Sequence, residues 1–597
     1  PVTPGGDAES RLTSTLEEIL RSPDLGDADV GVHVRSIKDG RTLFARNATK
    51  LMNPASNVKL VTTAAALWHL GASYRFRTVA YRDSAIAEGR ISGNLYVRGF
   101  GDPTLTDEQL FALVNDIALH GVNEVKGDLV VDDTWFDSVY EGPGWEQEHG
   151  DRSYATAIGP ISTNFNTYAL RVLPADEVGG PAKVMLWPPV PSIEVTSDAV
   201  TIGPSTRSRL MVGTSRENSK ILVSVRGTVS ADELDGVTIY KRIHNPTQFA
   251  AEHIKVMLEL RGIKIKGRTK IGKVPRGATA ISTVLSRPLG EVVSTLNKFS
   301  NNFIAEQILK TLGAELRGEP GTWEKGVDVV ASFLAEIGVA KPAYVMGNGS
   351  GLNDINRFTP EQITEILVAM YRRFEVQPEY VASLGVAGRS GTINSRFADS
   401  PAIKRLRAKT GTLQGVSALS GYVTTRDDQL LAFSIMMNGY SGRTRSMWKV
   451  QDMIGSALAD FSTGEVFAAW AMRVRSGARR GAGRTSSASR PREIKRRTRA
   501  PRCAGRSRRA RASTRTSARP PAARRRATSR SRRRRRSSRT ARPPASSRIS
   551  ARRTTIQRTS RRSSISLPRS SRTTRSTTRA PSSSASWWAS RTPRSRS

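Results

Sequence analysis

The sequence predicts an α+β fold in which one domain of helices and antiparallel strands is split by a large β-rich insertion. Helical spacing and hairpin patterns occupy residues 1–71 and return in residues 286–465, whereas short strand-like segments separated by glycine and proline dominate between them. We therefore expect residues 1–71 and 286–465 to form one discontinuous domain. Residues 72–166 with 237–285 are expected to form an inserted domain, and residues 167–236 a second, β-rich one.

The first part of the discontinuous domain is predicted to contain two helices on either side of a hairpin. Residues 30–34 and 42–45 have the composition of two strands joined by a turn. A helix follows Pro54 and ends at Gly71. An amphipathic first helix is indicated by four apolar residues at helical spacing: Leu12, Leu16, Ile19 and Leu20.

The second part of this domain begins with another helix. Residues 304–312 have helical spacing, and Glu306 and Lys310 stand at the separation of an i,i+4 ion pair. A hairpin of two apolar strands and a final amphipathic helix follow, at residues 416–424, 430–437 and 450–458. Between the two parts, the strand-like segments of the insertion are residues 95–98, 128–131, 199–202 and 221–225.

Basic residues are concentrated at the end of the chain. The chain carries 93 Lys and Arg against 52 Asp and Glu, and residues 471–597 hold 41 arginines, one lysine and a single acid, Glu493. We predict that residues 466–597 form a disordered Arg/Ser-rich tail, because this composition buries too little apolar surface to offset the entropy of ordering. GC-rich coding sequence read in a shifted frame has this composition, so the tail is interpreted as a frameshift product. The alternative is a genuine basic arm that binds anionic polymers or lipids.

The sequence has no signature of a metal or cofactor site, and we expect neither. The single cysteine, Cys503, lies in the tail, and the six histidines have no metal-ligand spacing. No apolar run is long enough to span a membrane. The chain begins at Pro1, so a signal peptide is expected to be absent from it, and export has to be inferred from function.

Three short motifs occur in an order that is typical of enzymes that form an acyl-serine. Residues 56–59 read Ser-Asn-Val-Lys, residues 300–302 read Ser-Asn-Asn and residues 409–411 read Lys-Thr-Gly. The Ser-x-x-Lys pattern of the first motif recurs as Ser-Met-Trp-Lys at residues 446–449, so the signal lies in the order of the three. Their predicted positions, on a helix start, a loop and a strand, strengthen it.

The chemistry of these residue types predicts a role for each. Ser56 is expected to be the nucleophile, and Lys59, on the same helical face, the base that accepts its proton. Burial or a nearby cation such as Lys409 would lower the pKa of Lys59 and make it neutral. Ser300 is expected to relay a proton to the leaving amine, and Asn302 to hold a substrate amide.

Residues 407–412 are predicted to form an edge strand that binds substrate. Lys409 and Thr410 are expected to bind a terminal carboxylate. Gly411 permits close approach of the substrate backbone. The amide of Thr412 is expected to complete an oxyanion hole.

The chain resembles the class C low-molecular-mass penicillin-binding proteins, the D-alanyl-D-alanine carboxypeptidase/endopeptidases. Besides the three motifs, the resemblance is carried by residues 99–105, 127–133, 159–166, 349–352 and 407–422. It covers nearly all of residues 1–465 and none of the tail. It implies a transpeptidase/β-lactamase-like catalytic domain split by a two-domain insertion, in a periplasmic or otherwise extracytoplasmic enzyme. The implied reaction cleaves peptidoglycan stem peptides through an acyl-enzyme on Ser56 and is inhibited by penicillin and other β-lactams.

Two other functions remain open at this point. A β-lactamase shares the three motifs, although the separation of 244 positions from Ser56 to Ser300 and the lack of a convincing Glu-x-x-Leu-Asn motif argue against it. The tail alone would suffice for non-specific polyanion binding, but no specific nucleic acid is expected as a partner. Asn353 and Asp354 stand where family members often carry a basic residue, so the resemblance predicts the chemistry but not the specificity for the stem peptide.

Overall fold

The computed structural model describes residues 4–145, 150–218, 220–339 and 343–463. It has the α+β fold that the sequence predicts. The predicted tail, with Cys503, lies outside the described residues.

The helices are α1 (Pro4–Ile19), α2 (Val58–Leu70), α3 (Asp107–Leu119), α4 (Pro246–Leu260), α5 (Leu289–Phe299), α6 (Asn302–Arg317), α7 (Trp323–Glu336), α8 (Pro360–Arg372), α9 (Gln377–Ser383) and α10 (Thr444–Asp460). The strands are β1 (Asp29–Ser36), β2 (Thr42–Arg46), β3 (Arg77–Arg82), β4 (Ile86–Ala87), β5 (Arg90–Ile91), β6 (Leu95–Gly99), β7 (Glu124–Val125), β8 (Leu129–Asp132), β9 (Thr167–Leu173), β10 (Lys183–Trp187), β11 (Ile193–Ser197), β12 (Val200–Ile202), β13 (Arg209–Glu217), β14 (Lys220–Ser230), β15 (Val237–Arg242), β16 (Lys264–Ile265), β17 (Thr269–Ile271), β18 (Thr279–Leu285), β19 (Gly385–Val386), β20 (Leu406–Leu413), β21 (Val416–Thr424) and β22 (Leu430–Asn438).

A six-stranded antiparallel sheet joins the two ends of the described chain. Its order is β19-β20-β21-β22-β1-β2, and β1 pairs with β22 from Asp29 opposite Asn438 to Ser36 opposite Leu431. The predicted hairpins β1–β2 and β21–β22 are both confirmed. Stretches that are far apart in sequence therefore share one sheet, as a split domain requires.

Helices cover both faces of this sheet. Because side chains alternate along a strand, Leu419 and Val423 pack on one face with α1 and α10. Ala418 and Tyr422 pack on the other face, in a core with α2 and α5 to α9. Helix α2, which carries the first motif, is buried along nearly its whole length in this second core.

The inserted residues form four further sheets. Strands β17-β8-β6-β3-β18 and β16-β7-β5-β4 build two of them, with both parallel and antiparallel pairs. Strands β10-β9-β15 form an antiparallel sheet, and β11, β12 and β13 all pair with β14. The domain boundaries within the insertion stay a prediction.

The insertion also contains helices that the sequence reading missed. Helix α3 begins with a capping box of Thr106 and Gln109, and α4 begins with Asn245 as N-cap and Pro246 as its first residue. These start signals were visible in the sequence but were outweighed by the surrounding strand-like segments.

The predicted ion pair between Glu306 and Lys310 is not formed. Both residues lie on α6 and are fully buried. Lys310 Nζ instead donates to Asp137 Oδ1 at 2.6 Å, and Glu306 contacts the loop described below. An i,i+4 spacing predicts such pairs on exposed helix faces, whereas this face of α6 is covered.

Candidate active site

Ser56 lies in a tight turn at the start of α2. The turn is a 3₁₀ segment, Ala55–Asn57, so the serine precedes the α-helix rather than forming its first turn. Ala55 is fully buried with a φ of 46°, in the left-handed region that is strained for a residue with a side chain. Its amide donates to Asn53 Oδ1 at 2.8 Å. Surrounding contacts thus impose an unfavourable backbone conformation next to the serine.

The turn is fixed against the central sheet. Asn57 Nδ2 donates to Ser420 Oγ on β21 at 2.7 Å. A β carbon at Gly411 on β20 would lie only 2.7 Å from Pro54 O. Glycine at this position of the third motif therefore lets β20 approach the serine turn directly.

Lys59 connects the first two motifs. The residue is fully buried, and its Nζ lies 3.0 Å from Ser56 Oγ, 2.6 Å from Asn302 Oδ1 and 2.6 Å from Ser350 O. Burial lowers the pKa of Lys59 to about 7, and the negative charge of Glu306 opposes this shift. Near neutral pH, a substantial fraction of Lys59 is therefore neutral.

Lys409 connects the second and third motifs. Its Nζ donates to Ser300 Oγ at 2.8 Å and to Thr410 O at 2.7 Å. Burial, and then the charge of Lys59, lower the pKa of Lys409. Ser300 ends α5 with a φ of 58°, and Asn302 is the first residue of α6. The turn between the two helices thus presents the hydroxyl to one lysine and the amide to the other.

The predicted edge strand is only partly an edge. The pairing of β20 with β19 reaches Ala408, so within the described residues the free edge begins at Lys409. Leu406 O accepts from Ala387 N on this side of β20. The backbone groups of alternate residues point to the same side of a strand, so those of Thr412 point to the same side as those of Leu406. The amide of Thr412 therefore faces the part of this edge that β19 leaves unpaired.

Glu306 and Ser350 are site residues that sequence reasoning missed. Glu306 is fully buried and accepts from Gly349 N at 2.9 Å, Ser350 N at 2.8 Å and Trp323 Nε1 at 2.9 Å. Ser350 O in turn accepts from Lys59 Nζ. One signal was present in the sequence, since Ser350 lies in a stretch that carries the family resemblance.

The insertion contributes to the rim of the site. Asn302 Nδ2 donates to Tyr154 O at 3.0 Å, and the Phe165 ring lies edge-on to Phe303 on α6, with ring centroids 6.2 Å apart. The second motif is therefore held from the side of the insertion as well as from its own helices.

The two residues that depart from the family pattern have structural partners. Asn353 has a φ of 65°, and its side-chain amide donates to Gly144 O. Asp354 accepts from Asn53 Nδ2 at 2.7 Å and from Arg357 Nη1 at 2.8 Å. The loop that follows Ser350 is thereby tied both to the serine turn and to the insertion.

No metal-binding cluster of three or more His, Cys, Asp or Glu side chains occurs among the described residues. Two of the histidines are buried: His33 contacts Thr364 and His253 contacts Asp107. Likewise, no helix in the described ranges is long and apolar enough to cross a membrane.

The chain is similar to known peptidases over most of its described length. Residues 12–457 match the model of the D-Ala-D-Ala carboxypeptidase 3 (S13) family. The chain is 35% identical over 467 residues to the D-alanyl-D-alanine carboxypeptidase of Actinomadura sp. (strain R39), a match that covers 76% of this chain and 85% of that protein. The carboxypeptidase DacB of Haemophilus influenzae is 27% identical over 421 residues, which cover 69% of this chain and 86% of the relative.

The fold is also similar to solved structures. The crystal structure of penicillin binding protein 4 (dacB) from Haemophilus influenzae matches with a TM-score of 0.63 and 24% identity, covering 74% of this chain and 97% of the other. The same protein complexed with a novel β-lactam matches with a TM-score of 0.61 and 23% identity, covering 75% of this chain and all of the other.

Proposed function

Since the chain belongs to the D-Ala-D-Ala carboxypeptidase 3 (S13) family and is a serine-type D-alanyl-D-alanine carboxypeptidase of peptidoglycan, we propose that Ser56 is its acylated nucleophile. The 3.0 Å contact between Lys59 Nζ and Ser56 Oγ carries this proposal. A serine hydroxyl needs an adjacent base, and the lowered pKa of Lys59 makes that base available near neutral pH.

Acylation proceeds by proton transfer and attack on the D-alanyl carbonyl. Neutral Lys59 accepts the proton of Ser56 Oγ while the oxygen forms a bond to the carbonyl carbon. When the carbon–nitrogen bond breaks, Ser300 gives a proton to the leaving nitrogen and is resupplied by Lys409, to which it is hydrogen-bonded. The proton that Lys59 took from Ser56 is released to solvent and Lys409 takes one up, so both lysines regain their starting state. Water then attacks the ester while Lys59 accepts a proton from it. Lys59 returns this proton to Ser56 Oγ as the ester bond breaks and the shortened peptide leaves.

Two backbone amides stabilise the oxyanion. The amide of Ser56 lies at the positive end of α2, and the amide of Thr412 points to the free edge of β20. Gly411 lets β20 approach Pro54 O closely, which supports the proposal that the amides of Ser56 and Thr412 bind the same oxygen atom of the substrate.

Lys409 and Thr410 bind the terminal carboxylate of the substrate. Without substrate, burial and the charge of Lys59 lower the pKa of Lys409. An incoming carboxylate favours the charged form of the lysine, so that binding and proton uptake are coupled. Asn302 holds a substrate amide and, through its Oδ1, accepts a hydrogen bond from Lys59 Nζ.

Glu306 acts as a positioning residue. Its carboxylate binds the amides of Gly349 and Ser350 and so fixes the carbonyl of Ser350, which accepts from Lys59. The same negative charge raises the pKa of Lys59 and prevents burial from lowering it further. Glu306 therefore adjusts both the direction and the basicity of the catalytic amine without touching the substrate.

The reaction takes place outside the cytoplasm, where peptidoglycan is found, and β-lactams acylate Ser56. The Haemophilus influenzae protein forms a complex with a β-lactam, which supports β-lactam binding by this chain. Both carboxypeptidase and endopeptidase substrates present a D-alanyl carbonyl to the same serine. Neither a specific nucleic acid nor a cofactor is required.

Mass spectrometry after exposure to penicillin tests the assignment. We expect one penicillin adduct, on the peptide that contains Ser56, and none in Ser56→Ala. Ser446→Ala is the matched control because residues 446–449 repeat the Ser-x-x-Lys pattern on α10, and it should retain the adduct. An adduct on Ser350 or Ser446 would overturn the proposal.

A further inference from the structure

The outer face of the β10-β9-β15 sheet exposes large side chains. Alternate residues of these strands, among them Tyr168 and Leu170, pack into a core, so the residues between them point outward. On this outer face, 46% of Met185, 39% of Trp187 and 47% of Tyr240 are exposed.

The strand register places the two aromatic residues in one row. Trp187 is opposite Ala169, and Ala169 is opposite Tyr240, so a small residue separates two rings across the sheet. The outer strands lie about 10 Å apart at the usual strand spacing. In the next row, Met185 is opposite Arg171, which is exposed. The face is therefore a shallow platform with an aromatic residue at each side and an exposed cation beside it.

One of the two rings is fixed before any ligand binds. Trp187 Nε1 donates to Asp107 Oδ2 at 2.6 Å, and its ring lies edge-on to His253 with the centroids 6.5 Å apart. Holding an exposed indole in a single orientation reduces the entropy that binding would cost.

We propose that this aromatic platform, formed by Trp187, Ala169, Tyr240 and Met185, binds the glycan strand of peptidoglycan. The choice of polymer rests on the proposed function. The apolar C–H faces of pyranose rings stack on aromatic side chains, and the hydroxyl group of Tyr240 suits the hydroxyl groups around each sugar. Arg171 and the exposed Lys183 complement the carboxylates of the stem peptides that the glycan carries.

The platform gives the enzyme a second contact with its polymeric substrate. A glycan bound to the insertion raises the local concentration of stem peptides around the active site without changing the chemistry at Ser56. The platform should therefore affect the use of intact peptidoglycan and leave small peptide substrates unaffected.

An uncharged probe tests the platform in the full chain. Chitotetraose, a tetramer of N-acetylglucosamine, has the sugar faces but no charge, so the basic residues 471–597 cannot attract it electrostatically. We expect titration calorimetry to detect binding, and Tyr240→Ala to weaken it about fivefold, the loss of one aromatic contact. Met185→Ser provides a second variant with an intact aromatic pair and should weaken binding less. Phe374→Ala and Met211→Ala remove residues that are 81% and 69% exposed elsewhere and should bind like the wild type.

Three results would overturn the proposal. They are failure of the wild type to bind chitotetraose, equal affinity in Tyr240→Ala, and a dimer in analytical ultracentrifugation that Tyr240→Ala dissociates, since the face would then join two copies. Penicillin acylation of Ser56 is measured on the same samples and should be unchanged in every variant. A protein that binds chitotetraose but fails to acylate would contradict the proposed role of Ser56 while supporting the platform, so the two failures are distinguishable.

Discussion

Gly351 lies so close to Ala55 that a β carbon at Gly351 would be 2.0 Å from Ala55 O. Both residues have positive φ angles, 73° for Gly351 and 46° for Ala55. The loop that binds Lys59 through Ser350 O is therefore packed directly against the turn that carries Ser56. Ser56 Oγ and Lys59 Nζ are held 3.0 Å apart by two backbone segments that fit together only because residue 351 is a glycine.

Gly351→Ala should reduce acylation without a general loss of fold. The added methyl group collides with backbone that cannot rotate away, so the loop and Ser350 O have to shift relative to Lys59. A misplacement of about 1 Å near reacting groups costs on the order of 100-fold in rate. The measurement is the second-order rate of penicillin acylation.

Gly338→Ala separates the collision from backbone strain. Gly338 has a φ of 84°, and a β carbon there would meet nothing within 4 Å. This variant should lose only about 1 kcal/mol of stability and keep its acylation rate. Equal acylation rates in the two variants would show that the packing of Gly351 against Ala55 is not needed.

Glu306→Gln should move the acid limb of the pH–rate profile to lower pH. Acylation requires neutral Lys59, so kcat/KM rises with pH through the pKa of this residue, which is about 7 in the intact site. Glu306 raises that pKa, and removing its charge therefore lowers it. On the high-pH plateau, where Lys59 is neutral in both proteins, Glu306→Gln should be slower than the wild type. A glutamine cannot accept from three donors at once, so Ser350 O is held less firmly.

The control for Glu306 is another carboxylate that binds an indole. Glu336 accepts from Trp68 Nε1 at 2.7 Å at an exposed position. Glu336→Gln should leave the pH profile in place. An acid limb that stays at the wild-type pH in Glu306→Gln would show that this carboxylate does not set the pKa of Lys59.

The contrast between Lys59 and Glu306 illustrates what the sequence contains. Lys59 was predictable because its partner stands three residues away, and the ordered motifs named the chemistry. Glu306 lies in an ordinary helical pattern, and its partners, Gly349 and Ser350, are brought to it only by the packing of α6 against a distant loop. A single sequence carries no signal for such a contact.

The same distinction holds for the fold. The hairpins and the first helix follow from local periodicity, and they were predicted. The pairing of β1 with β22 joins residues about 400 positions apart. The matching patterns of residues 1–71 and 286–465 predicted that the two stretches share a domain, but not which of their strands pair. Helix α3 was missed because four strand-like segments dominated the reading of the insertion, although Thr106 and Gln109 form its capping box.

Lys409→Ala should reduce acylation by both peptide and penicillin. The lost contact with the substrate carboxylate is charge-assisted and worth roughly 1.5–3 kcal/mol, which corresponds to about 10- to 150-fold in rate. Thermal stability should not fall greatly, because the variant removes a buried lysine whose charged form burial disfavours. Lys449→Ala, at an exposed lysine paired with Asp24, is the control. Acylation at the wild-type rate in Lys409→Ala would rule out this role.

Ser300 can be tested in a way that separates its hydroxyl from its backbone. With a φ of 58°, Ser300 occupies the left-handed region, where glycine is favoured and alanine is strained. Ser300→Gly therefore removes the hydroxyl that Lys409 contacts while it keeps, or even relaxes, the turn between α5 and α6. Ser300→Ala removes the same hydroxyl and retains the strain.

If Ser300 relays the proton, both variants should lose turnover of a D-alanyl-D-alanine peptide to a similar extent, about 100- to 10,000-fold for a missing proton-transfer group. If the residue matters only as a turn, Ser300→Gly should keep the wild-type rate and a melting temperature at least as high. Turnover in Ser300→Gly is thus the deciding measurement, because its value depends on the hydroxyl and not on the strain. Wild-type kcat in this variant would leave the leaving nitrogen to be protonated by Lys409 or water.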